Sequence, residues 1–351
     1  MTESRAPHRY PFAMPSGWFA VAETPDLAAG QARAAYYFDT HLVLWRDRAG
    51  DAHVMDAFCP HLGAHLGHGG TVEGCEIVCP FHGWKFDAEG SNTDIPYSER
   101  TNKRAQVRAY PVVERNGFVY TWYHPDGEAP TWEVEEVAEI GGGEFSGPKR
   151  TDHLVQAGIQ EMAENGVDSA HFRYVHDTAT VPEIERYEVD GHRTVMQSSQ
   201  KFPTPRGVVD GRIDSSADGP GVSIVRFSGI VDTLLVSAST PIDAGSTHTR
   251  FNFYVRNLGD AATNSSVGDA FAAEVDRQFI EDVPVWEHKA HLVRPALADN
   301  DGPFMKFRKW YAQFYAEPVS DDRTVFPPPY WPDKLDETPA KATASARHAD
   351  T

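Results

Sequence analysis

Cysteine is scarce in this chain, three among 351 residues, too few for a disulfide framework, so oxidative stapling is excluded as the source of stability. Basic residues are outnumbered: 32 Lys and Arg face 51 Asp and Glu, a formal charge of −19. Such an acidic surface repels nucleic acid and anionic membrane alike. Long apolar runs are missing too. No stretch approaches the ~20 apolar residues of a membrane-spanning helix, and the start, from Met1 to Phe12, carries Arg5, His8 and Arg9 but lacks the apolar segment of a signal peptide. The expectation is a cytoplasmic protein of about two domains, at ~150 residues per domain. What the chain does have is histidine, sixteen in all, and histidine is the commonest metal-ligating side chain.

Between Gly17 and His124 lie short aromatic and β-branched runs, among them Trp18-Phe19-Ala20-Val21 and Phe118-Val119-Tyr120-Thr121-Trp122-Tyr123, separated by Gly, Asp and Pro. These predict a compact antiparallel β domain over 17–126, preceded by an arm over 1–16. From Pro125 to Pro148 the composition shifts to an acidic cluster around Glu133–Glu139 and Gly141-Gly142-Gly143, which suits a domain crossing. A second domain is expected over 127–332. Apolar residues at Ile159, Met162, Ala163, Val167 and Ala170 predict a helix over 156–170. Strands follow over 194–201, 222–227, 231–238 and 247–255, and then a second helix from about 269 to 290. Helix, meander and long helix make an α+β domain. The last stretch, 333–351, is rich in Lys, Asp, Ala and Thr and reads as a disordered tail.

Two constellations carry chemistry. In the first, Cys59-Pro60-His61 is followed, after seventeen intervening residues, by Cys79-Pro80-Phe81-His82, so each of two glycine-rich loops offers one thiolate and one imidazole. A structural zinc site normally pairs C-x2-4-C with H-x3-5-H, whereas here Cys and His alternate within each loop. A Cys59–Cys79 disulfide would leave both histidines unexplained. The order C-x-H…C-x2-H resembles the Rieske family, in which two Cys hold one iron of a [2Fe–2S] cluster and two His hold the other. The resemblance implies Cys59, His61, Cys79 and His82 as cluster ligands. Ala64 and Phe81 stand where high-potential Rieske proteins carry a disulfide, so a low-potential cluster of the oxygenase or ferredoxin kind is implied. Cys75 reads as a plain buried thiol, and His65 and His68 as surface or supporting residues.

The second constellation is Glu164-Asn165-Gly166-Val167-Asp168-Ser169-Ala170-His171, running on to His176. Residues five apart on a regular helix diverge by about 140°, so His171 and His176 share a metal only if the helix ends between them. H-x4-H alone is a weak signal. With the Rieske motif upstream, D-x2-H-x4-H after Glu-Asn resembles the Rieske oxygenases, whose two-His, one-carboxylate iron leaves positions open for O2. For the carboxylate, Asp282 shares its helix face with Val275, Phe279 and Trp286, and an aspartate on an apolar face is costly unless a metal compensates it. Glu281 shares instead the face of Glu274 and Arg277, a solvated ion-pair pattern. Asp276 is a poor second, and Pro284 should kink this helix.

In the family the resemblance points to, the aspartate at the position of Asp168 bonds the first iron-ligating His and a cluster His of a neighbouring subunit. Carried over, Asp168 bridges His171 to His82 of another chain; the alternative is a carboxylate that merely orients His171. Asn165 lies near the iron or serves a turn.

Resemblance to Rieske non-haem iron oxygenases covers about residues 17–320. Asp56–Ala64, Ile95-Pro96-Tyr97 and, most specifically, Arg308-Lys309-Trp310-Tyr311-Ala312-Gln313-Phe314-Tyr315 are similar to the 3-ketosteroid 9α-hydroxylase oxygenase components and cholesterol 7-desaturases. Glu-Asn-Gly before Asp168 leans toward the desaturases. The aromatic stripe from Phe304 to Tyr315 reads as core, with pocket lining or subunit contact as the other reading. The resemblance implies an all-β Rieske domain, a helix-grip (START-like) catalytic domain, mononuclear Fe(II), O2 as co-substrate and a steroid-like substrate. It also implies a ferredoxin or flavin reductase drawing on NADH, and a head-to-tail homotrimer. Desaturation, and a lipid-binding electron-transfer module without catalytic iron, are the rival functions.

Overall fold

The computed structural model describes residues 12–204 and 207–316; the expected tail and most of the expected arm lie outside the described residues. The chain divides into two units, one formed by residues 16–137 and the other by residues 138–351 with the first fifteen. The division comes after Val137, later than composition suggests, because the segment past His124 is tied into the β unit. Trp18 Nε1 donates to the Trp132 carbonyl at 2.8 Å. Asn116 donates to the Glu135 carbonyl and accepts from the Val137 amide.

The first unit holds three small antiparallel sheets. Gly17–Glu23, buried throughout, pairs with Phe118–Tyr123, and Val112–Arg115 completes that sheet. A second is built on the hairpin of Ala32–Tyr37 and Thr40–Arg46. The third, with Thr71–Glu73, Glu76–Val78, Lys85–Phe86 and Asn92–Asp94, presents the two Cys-His loops. Val43, Trp45, Met55, Leu66, Ile77 and Phe86 form the core on which those loops rest. Cys75 departs from the expected buried thiol: it is exposed, in the turn between Glu73 and Glu76, and a bond to the Asp47 carboxylate pushes its thiol up.

The second unit is built on a seven-stranded antiparallel sheet. Its strands are, in spatial order, Phe145–Val155, Ser246–Arg256, Thr233–Asp243, Val222–Ser228, Gly207–Asp218, Arg193–Thr204 and Glu183–Asp190. The last six form a meander in sequence, and the first strand closes against its end. Three of these strands, Phe145–Val155, Glu183–Asp190 and Gly207–Asp218, are additional to those expected. The helix expected over 156–170 is shorter: α1 spans Ile159–Ala163, a 3-10 turn covers Glu164–Val167, and Asp168 turns extended. After it come α2, His171–Tyr174, and the long α3, Ala261–His288. α3 starts earlier than its apolar periodicity suggests because Asp260 caps it, accepting from the Thr263 amide at 2.8 Å. It runs through Pro284, which leaves the Ile280 carbonyl without its helical amide donor. α4, Phe304–Tyr311, follows. Phe251 and Phe253 of the sheet meet Phe271 and Phe279 of α3, so this helix covers the sheet's inner face.

Candidate metal centres

The two Cys-His loops repeat one geometry. The Gly63 amide donates to the Cys59 carbonyl at 2.9 Å and the Gly83 amide to the Cys79 carbonyl at 3.1 Å. Both glycines lie at positive φ, +75° and +71°, which other residues reach only with strain. The result is that Cys59 and Cys79 are buried side by side without a disulfide. The ring centroids of His61 and His82 stand 4.7 Å apart, and His61 stacks on Trp84 at 4.4 Å.

Three atoms in this cradle are costly as they stand. Nδ1 of His61 and of His82 are both buried without a hydrogen-bond partner, and burial, with Cys79 adjacent, pushes the Cys59 thiol up. The main-chain amides of His61 and Leu62 act the other way, favouring the Cys59 thiolate. Two thiols and two orphaned imidazole nitrogens in one dry cradle fit a two-iron cluster, which would relieve each of these costs. Nearby, His65 accepts from the Gly67 amide and packs on His68.

The second centre is assembled from three segments. α2 ends after Tyr174, so His171 and His176 turn back toward each other with ring centroids 5.1 Å apart. α3 brings Asp282, on the face between Phe279 and Trp286. Ligand atoms of His171, His176 and Asp282 lie within 4.8 Å of one another. Both imidazoles are oriented through Nδ1. His171 Nδ1 lies 2.5 Å from the Asp168 carbonyl, and His176 Nδ1 lies 3.0 Å from Glu281 Oε2. Donation there leaves each Nε2 with its lone pair as an acceptor. That of His176 faces Asp282 Oδ2 at 3.4 Å.

Asn165 completes the ring, its amide nitrogen 2.9 Å from Asp282 Oδ2 and 3.1 Å from His171 Nε2. Burial raises the Asp282 carboxyl to about 6, against the opposing pull of His176 and Asn165. The Asn165 amide satisfies part of this acceptor set, and a divalent cation in the same gap would compensate the buried carboxylate and both lone pairs. The donor set, two nitrogens and one oxygen, suits a divalent iron.

Asp276 is not part of this group, since it bonds His153 at 2.6 Å. The Asp168 carboxylate differs from expectation: Oδ1 caps α2, accepting from the Ala170 and His171 amides at 3.0 and 3.2 Å, and stands 3.9 Å from His171 Nδ1. The main-chain carbonyl takes the imidazole instead. Glu281 is the residue that sequence reading missed. Its i−4 pairing with Arg277 is present, but the same carboxylate also turns inward to His176, and those two partners hold its pKa below the usual range.

The second centre opens on a cavity of about 320 Å3, within the ~300–1,000 Å3 typical of small-molecule sites. Its floor is drawn from six strands, through residues such as Tyr187, Met196, Ile213, Val225, Ser237 and Phe251. Phe307, Trp310 and Tyr311 of the aromatic stripe are buried and also line it. Arg308 forks onto Glu164, with Nη2 3.1 Å from Oε2, tying the stripe to the Glu-Asn segment. A further cluster, Glu161, Glu164 and His291, is already neutralised by Lys289 and Arg308 and needs no ion.

Residues 17–111 match the Rieske [2Fe-2S] domain family, and residues 121–315 match the family described as 3-ketosteroid 9alpha-hydroxylase C-terminal domain. The chain is 34% identical over 342 residues to the cholesterol 7-desaturase of Caenorhabditis elegans, covering 88% of this chain and 78% of that one. It is 30% identical over 328 residues to a 3-ketosteroid-9-alpha-monooxygenase oxygenase component of Rhodococcus rhodochrous, covering 88% and 86%. Dicamba monooxygenase bound to dicamba has the same fold, with a TM-score of 0.68 at 19% identity over 85% of this chain and 96% of that one. With both domain families matched in order along nearly its whole length, the chain belongs to the Rieske oxygenase family that includes the 3-ketosteroid 9α-hydroxylases and the cholesterol 7-desaturases.

Proposed function

We propose that this protein is the terminal oxygenase component of a multicomponent Rieske monooxygenase, hydroxylating a steroid-like substrate with O2 and electrons from a NADH-dependent reductase. The observation that carries the reading is that His171, His176 and Asp282 converge at the wall of one largely apolar cavity. Six strands at ~4.8 Å spacing make a floor on the order of 20 Å across, suited to an elongated, rigid apolar molecule. Cys59, His61, Cys79 and His82 hold the [2Fe–2S] cluster in this reading, and His171, His176 and Asp282 hold the mononuclear Fe(II). When bound, the two metal groups supply electron relay and O2 activation.

The chain's own residues set the stage for that chemistry. Phe251, Phe279 and Trp310 exclude water and orient the substrate, while Asn165 holds Oδ2 of Asp282 in place. Asp168 keeps Oδ2 free of the α2 cap, and in this reading it receives His82 of a neighbouring subunit in a head-to-tail trimer. A protein that is monomeric at working concentration would contradict that assembly.

The test is incubation of the purified protein with a ferredoxin reductase, NADH and a panel of steroids, followed by mass spectrometry. A product heavier by one oxygen atom is expected. A product lighter by two hydrogens would establish the desaturase reading, which the 34% identity to a cholesterol 7-desaturase favours. Turnover of small aromatic acids and of no steroid would refute the substrate class.

A further inference from the structure

Glu281 sends its two carboxylate oxygens in different directions. Oε1 takes Arg277, which also forks onto Glu274. Oε2 reaches inward to His176 Nδ1 at 3.0 Å. A glutamate that only faced solvent would have no reason to make the inward bond. Consecutive helix residues point about 100° apart, and α3 uses that angle: Glu281 meets one nitrogen of the His176 ring while Asp282 meets the other at 3.4 Å. The ring is clamped between neighbouring carboxylates of a single helical turn, and its side chain is 2% exposed. His171 is supported differently, by the neutral main-chain carbonyl of Asp168.

We propose that Glu281 is the positioning residue of the mononuclear centre. It fixes His176 in the tautomer that presents Nε2 to the metal and strengthens that nitrogen as a donor. With Arg277 as an outer strut, it makes His176 the anchoring ligand and His171 the more labile one. This rests on the reading of His171, His176 and Asp282 as the metal ligands. An ionised carboxylate withdraws the Nδ1 proton more strongly than a carbonyl does, which raises the basicity of the opposite nitrogen.

The experiment uses the full-length, cluster-loaded protein with its mononuclear site emptied by mild chelation. Co(II) is titrated against a competing chelator, and its visible d–d absorption reports ligation at the site. Glu281→Ala is expected to bind Co(II) about 10–100-fold more weakly than the unaltered protein and to shift the d–d bands. Glu281→Gln keeps an acceptor oxygen at the same place, so it should lose less, and the melting temperature of the metal-depleted protein should stay unchanged in both. A loss below tenfold in Glu281→Ala, an equal loss in the two variants, or a loss that tracks a lowered melting temperature would overturn the proposal. His176→Ala separates this from its premise: Co(II) binding that survives His176→Ala refutes the ligand set itself, whereas binding lost there but kept in Glu281→Ala refutes only the role of Glu281.

Discussion

The side-chain amide of Asn165 lies 2.9 Å from Asp282 Oδ2, so one neutral donor is directed at a buried carboxylate oxygen that also faces His176. A hydrogen bond to a charged group contributes about 1.5–3 kcal/mol. Asn165→Ala should let the carboxylate swing and its two oxygens become equivalent toward the metal. Product formation is expected to fall about tenfold or more, with far-ultraviolet circular dichroism unchanged. Wild-type turnover in that variant would reduce Asn165 to a turn residue.

Removing an imidazole from the second centre should cost the protein one kind of iron and leave the other. A two-iron cluster plus a mononuclear site implies about three irons per chain, so His176→Ala should give about two, with the cluster's visible spectrum intact. Cys79→Ser should do the reverse at the cluster, abolishing its spectrum. Iron assay with optical spectroscopy reads both, and an unchanged iron count in His176→Ala would leave an electron-transfer module as the better description.

Much of this architecture was legible because the relevant segments face a dry interior on a regular period. Gly17–Glu23 and Phe118–Tyr123 are buried almost throughout, and such runs announce themselves. The strands Glu183–Asp190 and Gly207–Asp218 do not. The first is a sheet edge reading Glu-Ile-Glu-Arg-Tyr-Glu-Val-Asp, with all but Ile184 and Tyr187 exposed. The second turns Ile213, Ser215 and Ala217 toward a cavity, so small and polar residues stand where a core-facing strand would carry large apolar ones. A site needs volume, and making volume erases the alternation that marks a strand.

The site itself was legible where chemistry constrains spacing and illegible where tertiary contact decides. Asp282 stands out because it shares its helix face with Val275, Phe279 and Trp286. Glu281 shows on its own helix only the ordinary pairing with Arg277, four residues away; its inward bond to His176 spans 105 residues. The use of the Asp168 carbonyl, with the carboxylate spent on capping α2, likewise depends on where the 3-10 turn ends, which periodicity leaves unresolved.

Acid should weaken the second unit through Glu161. This buried carboxyl is held at about 2 despite burial, by His291 and Lys289. Its folded pKa lies below the ordinary ~4.5, so its contribution is complete above that value and is lost as pH falls from about 4.5 toward about 2; the shift corresponds to about 3 kcal/mol. Glu161→Gln should be less stable than the unaltered protein at pH 7 and should flatten the stability curve between pH 5 and 3. Chemical denaturation across that range, with the cluster's absorbance followed separately, checks the sign. Parallel curves for the two proteins would mean another group carries the acid sensitivity.

The cavity floor offers a test of substrate size that leaves the metals alone. Ser223 stands opposite Ser237 on neighbouring strands, and both line the cavity. Neither belongs to the metal-binding segments. Ser223→Phe adds a ring where the floor is open, so a bulky polycyclic substrate should lose its place while O2 and electron delivery are unaffected. Overfilling a packed site costs typically 1–3 kcal/mol, equivalent to about a 5- to 150-fold fall in kcat/KM. The fall should appear mainly in KM, with iron content and cluster reduction by the reductase unchanged. A small substrate turned over equally by both proteins would locate the occupied part of the cavity away from the Ser223–Ser237 pair and place the reacting molecule closer to α3.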